Sequence, residues 1–183
     1  MVLYVNSCIR EESRTDKLAR ALLDKLGKYS EVALEELEIK PLNRERLNYR
    51  AALLAKGDFD DESICLAKQF ANADVIVISA PYWDTSFPAV LKAYIENIYV
   101  MGIVAEYGAD GVLHGLCKAK KLYYVTTAGG PYEPEYSYGY IRKLALSRFG
   151  IKDAKLIYAE YLDIEGNNPD EILQKAMEQI ETE

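Results

Sequence analysis

The sequence predicts a three-layer α/β sandwich, with a parallel sheet covered by helices on both faces. Two observations carry this. Four short runs, VLYV at 2–5, VIVI at 75–78, LYYV at 122–125 and LIYA at 156–159, are nearly continuous in apolar residues, the pattern of strands buried on both faces. The segments between them repeat apolar residues at helical spacing instead. Strands that alternate with helices run parallel and need crossovers, which are right-handed.

Taken in order, the run at 2–5 starts the sheet. Leu18, Leu22 and Leu26, with Ala19 and Leu23, then make an apolar stripe, so a helix follows. EVALEEL at 31–37 alternates apolar with charged residues, which suits a strand near the sheet edge. Residues 42–57, LNRERLNYRAALLAKG, read as an added helical excursion before the third strand at 75–78. Leu91, Ile95 and Ile98 mark the next crossover helix. GIVAEYGADGVLHGL at 102–116, with four glycines, reads as a wide loop, and loops of that length in a compact domain often carry function. After the strand at 122–125, YSYGYIRKLALSRF at 136–149 predicts a helix that stops at Gly150, a residue suited to the C-terminal position. The strand at 156–159 precedes the last stripe, Ile172, Leu173, Ala176 and Ile180. The expected sheet therefore has five strands, each followed by a helix.

A chain of 183 residues suits a single domain that buries about two-thirds of its unfolded surface. The formal net charge of -7 and the absence of clustered Lys and Arg argue against nucleic acid as partner; KAKK at 118–121 is too short. The start, MVLYVNSCIR, lacks the charge and the apolar length of a signal peptide, so a cytoplasmic location is expected. No apolar run approaches the about 20 residues of a membrane span. Cys8, Cys65 and Cys117 are odd in number and far apart, which gives neither a disulfide framework nor a zinc spacing and leaves free thiols as the reading.

In open α/β sheets ligands sit outside the carboxyl ends of the strands, where strand order reverses. Three strand ends are informative. The first, NSCIREESRTDKLA, has no glycine, so the dinucleotide fingerprint and the P-loop are both absent. Instead Ser13, Thr15 and Asp16 stand at a helix start, where unpaired N–H groups and the positive dipole end hold a phosphate. The same residues also read as a capping box, Ser13 with Asp16. At the second end, Tyr82, Trp83, Asp84 and Thr85 lie between Pro81 and Pro88, the latter in the first turn of the following helix, where proline is tolerated. A loop so fixed offers its aromatics to a planar ring and its N–H groups to the ring's polar edge; ordinary core packing is the bland alternative. The third end, TTAGGPYEPEYSYGY, carries Gly129 and Gly130, which let backbone approach a ligand or simply make a turn. Coincidence favours a ligand: three unusual loops share one edge of one sheet.

With those residues in view, the chain resembles the flavodoxin-like NAD(P)H:quinone oxidoreductase and FMN-dependent azoreductase family from end to end. NSCIREESRT is similar to its phosphate loop, APYWDTSFPAVLKAYIENIYVMG to its flavin-cradling loop and helix, and TTAGGPY to its second isoalloxazine loop. The pattern A-P-x-[YW]-x-x-x-[IF]-P-x-x-L-K with the downstream Gly-Gly is specific. The resemblance implies a flavodoxin-like sandwich with strand order 2-1-3-4-5 and a single FMN-binding domain over 1–183. It also implies bound FMN, NADH or NADPH as co-substrate, a quinone, azo or related small-molecule acceptor, and a homodimer with the site near its interface. Carried onto this sequence, the cofactor-binding set is Ser7, Ser13, Arg14, Thr15, Pro81, Tyr82, Trp83, Asp84, Thr85, Thr127, Ala128, Gly129, Gly130 and Tyr132, with no metal. The chemistry is then flavin-borne, and Tyr132 is a candidate proton donor.

The chain departs from the family in two places. Ala105 precedes the EYG segment where relatives often carry an aromatic. The Gly-Gly loop has Tyr132, Tyr136 and Tyr138 but no histidine to pair with tyrosine as in mammalian-type quinone reductases; the one histidine, His114, stands in the wide loop without a motif and reads as a residue without a role. Rival readings of the fold are a flavodoxin-type electron carrier, whose glycine- and threonine-rich phosphate loop is missing, and a receiver-type domain, which needs acidic residues where Asn6 and Ser7 stand. An FMN-free interaction module stays open, and the colour of the purified protein discriminates.

Overall fold

A computed structural model describes residues 1–182. In chain order the elements are β1 (Val2–Asn6), α1 (Arg14–Leu26), β2 (Tyr29–Ala33), α2 (Arg44–Lys56), α3 (Cys65–Asn72), β3 (Val75–Ser79), α4 (Ala89–Ile98), β4 (Ala105–Tyr107), β5 (Leu113–Gly115), β6 (Lys121–Thr127), α5 (Tyr138–Leu144), β7 (Asp153–Ala159) and α6 (Pro169–Glu178). Strands β2, β1, β3, β6 and β7 lie side by side in that order, all parallel. Counting only the strands of this sheet, the order is the expected 2-1-3-4-5.

The apolar runs are continuous because each strand feeds two cores. Leu3 and Val5, Ile76 and Ile78, and Leu122 and Tyr124 pack on one face against Phe70, Tyr94, Ile141 and Phe149. Their neighbours Val2 and Tyr4, Val77, and Tyr123 and Val125 pack on the other against Leu18, Leu22, Leu162 and Leu173. Alternation puts successive side chains on opposite faces, and both faces are covered by helices, so the apolar runs of β1 and β6 and the central residues of β3 are buried, whereas the LIYA run lies in β7 at the sheet edge and leaves Tyr158 45% exposed.

The edge strand is shifted from its expected place. β2 covers Tyr29–Ala33 rather than 31–37, and residues 34–38 form turns. β1 ends at Asn6, which is paired with Ala33; beyond it the chain has no strand to pair with, and the Leu34 N–H makes its last bond to the Asn6 carbonyl at 2.8 Å. The alternating charges of EVALEEL had counted turn residues as strand.

The wide loop is also corrected. It contains β4 and β5, an antiparallel pair in which Ala105 faces Gly115 and Glu106 faces His114. Three-residue strands are too short to show a period. A tight turn closes them: Gly111 has φ 74°, and the Val112 N–H is held by the Asp110 carboxylate at 2.9 Å. A Cβ at Gly115 would fall on the backbone of Phe149 and Gly150, so this close approach requires glycine. The predicted helix at 136–149 starts at Tyr138, and its last turn, Ala145–Phe149, is π-helical before Gly150 closes it in the left-handed conformation, φ 78°. The excursion at 42–57 is helical as expected. Among the described residues no helix is long and apolar enough to cross a membrane.

Candidate functional site

Parallel pairing in register aligns the strand ends: Asn6 lies opposite Ser79, Ser79 opposite Val125, and Thr127 opposite Ala159. The loops that follow therefore converge on one edge, on both sides of the point between β1 and β3 where strand order reverses. Between them is a cleft of about 200 Å³. Ser13, Arg14 and Thr15 line it from the first loop, Pro81, Tyr82 and Trp83 from the second, and Thr127, Ala128 and Gly129 from the third.

The start of α1 supplies its polar end. Ser13 is the N-cap, its Oγ accepting the Asp16 N–H at 3.3 Å. Asp16 does not complete a capping box. Its carboxylate accepts instead from the Tyr4 hydroxyl at 2.5 Å, Asn6 Nδ2 at 3.1 Å and Arg20 Nε at 2.7 Å, which ties the helix start to β1. The N–H groups of Arg14 and Thr15 have no partner among the described residues, as expected of a first helical turn. The Thr15 and Thr127 hydroxyls lie 2.6 Å apart and buried, joining the first loop to the third. Whichever donates, the other keeps a proton for a ligand.

The second loop is a two-residue hairpin turn. Trp83 and Ser86 exchange N–H···O bonds of 3.1 and 2.8 Å, and Asp84 and Thr85 have φ of 48° and 64°, the mirror-image turn that normally calls for Asn-Gly. Aspartate tolerates this conformation, but a β-branched residue there is an outlier that costs roughly 1–2 kcal/mol. Such strain concentrates where function fixes the backbone. Replacing Thr85 by glycine is expected to raise the melting temperature by about 2 °C, relief of the strain being partly offset by the freer unfolded chain; a fall on thermal scanning would show that the turn is unstrained. Pro88 is the N-cap of α4 rather than a member of its first turn, its fixed φ closing the loop just before the helix.

Of the N–H groups expected to face a ring, Tyr82, Trp83 and Ala128 are engaged with the carbonyls of Thr127, Ser86 and Ala159. Those of Asp84, Thr85, Gly129 and Gly130 have no partner among the described residues. Trp83 is half-buried, belongs to neither core and touches no other aromatic ring among the described residues. Tyr82 meets Tyr132 edge-on at 4.9 Å, and Tyr132 leans on Tyr158 at 5.4 Å.

Other predicted residues do not line the cleft. Ser7 is buried and its hydroxyl donates to the Ser79 carbonyl at 2.7 Å, clamping two strand ends. Asp84 and Thr85 stand exposed on the turn. Gly130 has open space where a Cβ would stand. The Tyr132 hydroxyl lies 2.8 Å from Ser137 Oγ, and burial raises its pKa, so the phenol holds its proton. Ala105 is fully buried. His114 is exposed, 3.6 Å from Asp110.

Sequence reasoning missed Asp163. It lies in the loop after β7, and the strand-end rule, applied to a fourth loop, would have found it. Arg14 donates to the Asp163 carboxylate at 2.7 Å and to the Leu162 carbonyl at 3.1 Å, so its guanidinium is already aimed when a ligand arrives. The Asp163 N–H donates to the Gly129 carbonyl at 2.9 Å, and a side chain at Gly129 would collide with the Asp163 carboxylate. Ile9, Arg10 and Glu12 complete the cleft wall, on a segment with no periodic signal.

Comparison with known proteins agrees with this geometry. Residues 1–183 match the family model described as the flavodoxin-like fold. The FMN-dependent NADH:quinone oxidoreductase of Clostridium perfringens is 37% identical, over 97% of this chain and 94% of that protein. The FMN-dependent NADH:quinone oxidoreductase 2 of Clostridium acetobutylicum is 33% identical, with the same coverage, 97% and 94%. Among solved structures, an azoreductase from Bacillus anthracis superposes with a TM-score of 0.81 at 24% identity, covering 97% of this chain and 95% of that one. At that identity the likeness speaks for the fold.

Proposed function

Because the chain belongs to the flavodoxin-like fold family, we propose that it is an FMN-dependent oxidoreductase that moves a hydride equivalent from NADH or NADPH to a quinone, azo or related small-molecule acceptor. One observation carries this reading: the Ser13–Thr15, Pro81–Trp83 and Thr127–Gly129 segments meet around a single cleft at the strand-order reversal. The names of the curated relatives support FMN, NADH and a quinone.

The residues present fit FMN. A cleft of about 200 Å³ is smaller than the roughly 300–1,000 Å³ that enclose a whole drug-sized ligand, so it holds one end of an extended molecule. Its donors, two unpaired N–H groups at a helix start with the Ser13 and Thr15 hydroxyls and the Arg14 guanidinium, suit a phosphate. Tyr82 and Trp83 offer flat apolar surface to the ring, and the unengaged N–H groups of Asp84, Thr85, Gly129 and Gly130 are donors for its carbonyls and nitrogens. When bound, FMN supplies the two-electron chemistry. The protein's part is to orient it, keep the phosphate in place and exclude water. Fixed N–H donors in such a site stabilise negative charge strongly because they need no reorganisation. Tyr132 Oη, held protonated and beside Ser137, is our proton donor for the acceptor.

We place the work of residues 1–183 in one FMN-binding domain, in the cytoplasm, as a homodimer with the site near its interface. The test is to titrate the apoprotein with FMN and then follow anaerobic NADH and NADPH oxidation with and without a quinone. A yellow stoichiometric complex and quinone-dependent oxidation are expected. No FMN binding at high micromolar concentration would remove the proposal; binding without oxidation would leave an electron carrier. Sedimentation of the yellow protein as a monomer would remove the dimer alone.

A further inference from the structure

A second cavity, of about 680 Å³ and so within the range that encloses drug-sized ligands, lies among α2, the segment before it, the start of α3 and α4. Its wall is the helical excursion that the flavin site does not use. Of the 13 residues of α2 only Leu53 is buried, while Leu47 and Tyr49 are 45% and 52% exposed. A helix gains most of its stability by burying a face, so one that buries almost nothing is expected to cover something else.

Two guanidiniums one helical turn apart on α2 line this cavity. Arg46 Nη1 donates to the Lys40 carbonyl at 2.7 Å, and Arg50 Nη1 donates to the Glu96 carbonyl at 3.1 Å. Neither is paired with a carboxylate within 4.0 Å among the described residues. Each guanidinium carries five N–H donors, so most of both forks is free for a ligand. Both side chains are half-buried, and burial lowers the pKa of Arg50, a desolvation cost that an anion would offset. The cavity also has carboxylates, Glu38, Glu45 and Glu62, but all three are exposed at its rim, and Glu38 lies 3.8 Å from Lys40. The buried charge is therefore positive and the rim acidic. Half-buried Ile39, Leu42 and Leu66 complete the lining.

We propose that this cavity is a second ligand site, separate from the flavin cleft, for a small monocarboxylate with an apolar body. The carboxylate pairs with Arg46 and Arg50, and the body rests on Ile39, Leu42 and Leu66. A divalent anion is disfavoured by the acidic rim.

Cys65 supplies the test, because it is exposed and lines the cavity. Cys8 and Cys117 are half-buried, and burial raises both thiols, Cys117 to about 12, so N-ethylmaleimide should alkylate Cys65 first. Intact-mass spectrometry then follows that reaction with 2-naphthoate as the probe. At about four times its dissociation constant, naphthoate is expected to slow Cys65 alkylation about fivefold, as mass action requires for one site. Neutral 2-naphthamide should not. Arg46→Gln, which gives up a bond only to an exposed backbone carbonyl, should remove most of the protection while FMN affinity and melting temperature stay unchanged. Arg46→Lys should restore part of it. Equal protection by the amide, no protection at all, or competition between naphthoate and FMN would each overturn the proposal. So would alkylation that slows with protein concentration alone and recovers when Arg46→Gln yields a monomer in sedimentation, since a second copy would then cover this face.

Discussion

Replacing Ser13 and Thr15 together by alanine is expected to weaken FMN binding by roughly 10²–10⁴-fold while leaving riboflavin nearly unchanged. Each hydroxyl donates to a charged group in the proposed complex, and such bonds contribute about 1.5–3 kcal/mol apiece. Riboflavin separates this role from capping. The Ser13 Oγ also accepts the Asp16 N–H, and loss of an N-cap costs about 1 kcal/mol of stability whatever ligand is present. A capping role alone would therefore lower the melting temperature and weaken both ligands equally, measured by fluorescence titration of the two flavins.

How far the sequence discloses this site depends on what each residue answers to. β1, β3 and β6 were legible because burial on two faces leaves only apolar side chains, a constraint visible without knowing the fold. The loops followed from the strands: once Asn6, Ser79 and Thr127 are strand ends, parallel pairing brings Ser13, Trp83 and Gly129 together. Pairings between loops were not legible. Nothing local distinguishes the Arg14–Asp163 contact, whose partners are 149 residues apart, or the meeting of the Thr15 and Thr127 hydroxyls. The hairpin of β4 and β5 was missed for a different reason: strands of three residues on a solvated surface need no apolar pattern. The turn at Asp84 and Thr85 went against its own chemistry, since neither residue is a glycine. That conflict between local preference and observed backbone is itself a pointer to function.

The same turn holds Trp83, and Trp83→Ala is expected to weaken FMN and riboflavin alike, by about 2 kcal/mol or roughly 30-fold, through lost aromatic contact and buried area. This is the opposite signature from Ser13 and Thr15, whose loss separates the two flavins. Placement outside both cores predicts that the apoprotein melts within a few degrees of the parent. A core tryptophan would instead cost about 3–5 kcal/mol, or on the order of 10 °C in a chain of this size. Because Trp83 is the chain's one tryptophan, its emission reports the site directly. Saturation with FMN should quench it strongly, since the indole and the isoalloxazine would lie in contact, and the quenching should track the absorbance titration. Full emission from the FMN-saturated protein would place Trp83 off the ring and leave Tyr82, braced edge-on by Tyr132, as the aromatic surface of the cleft.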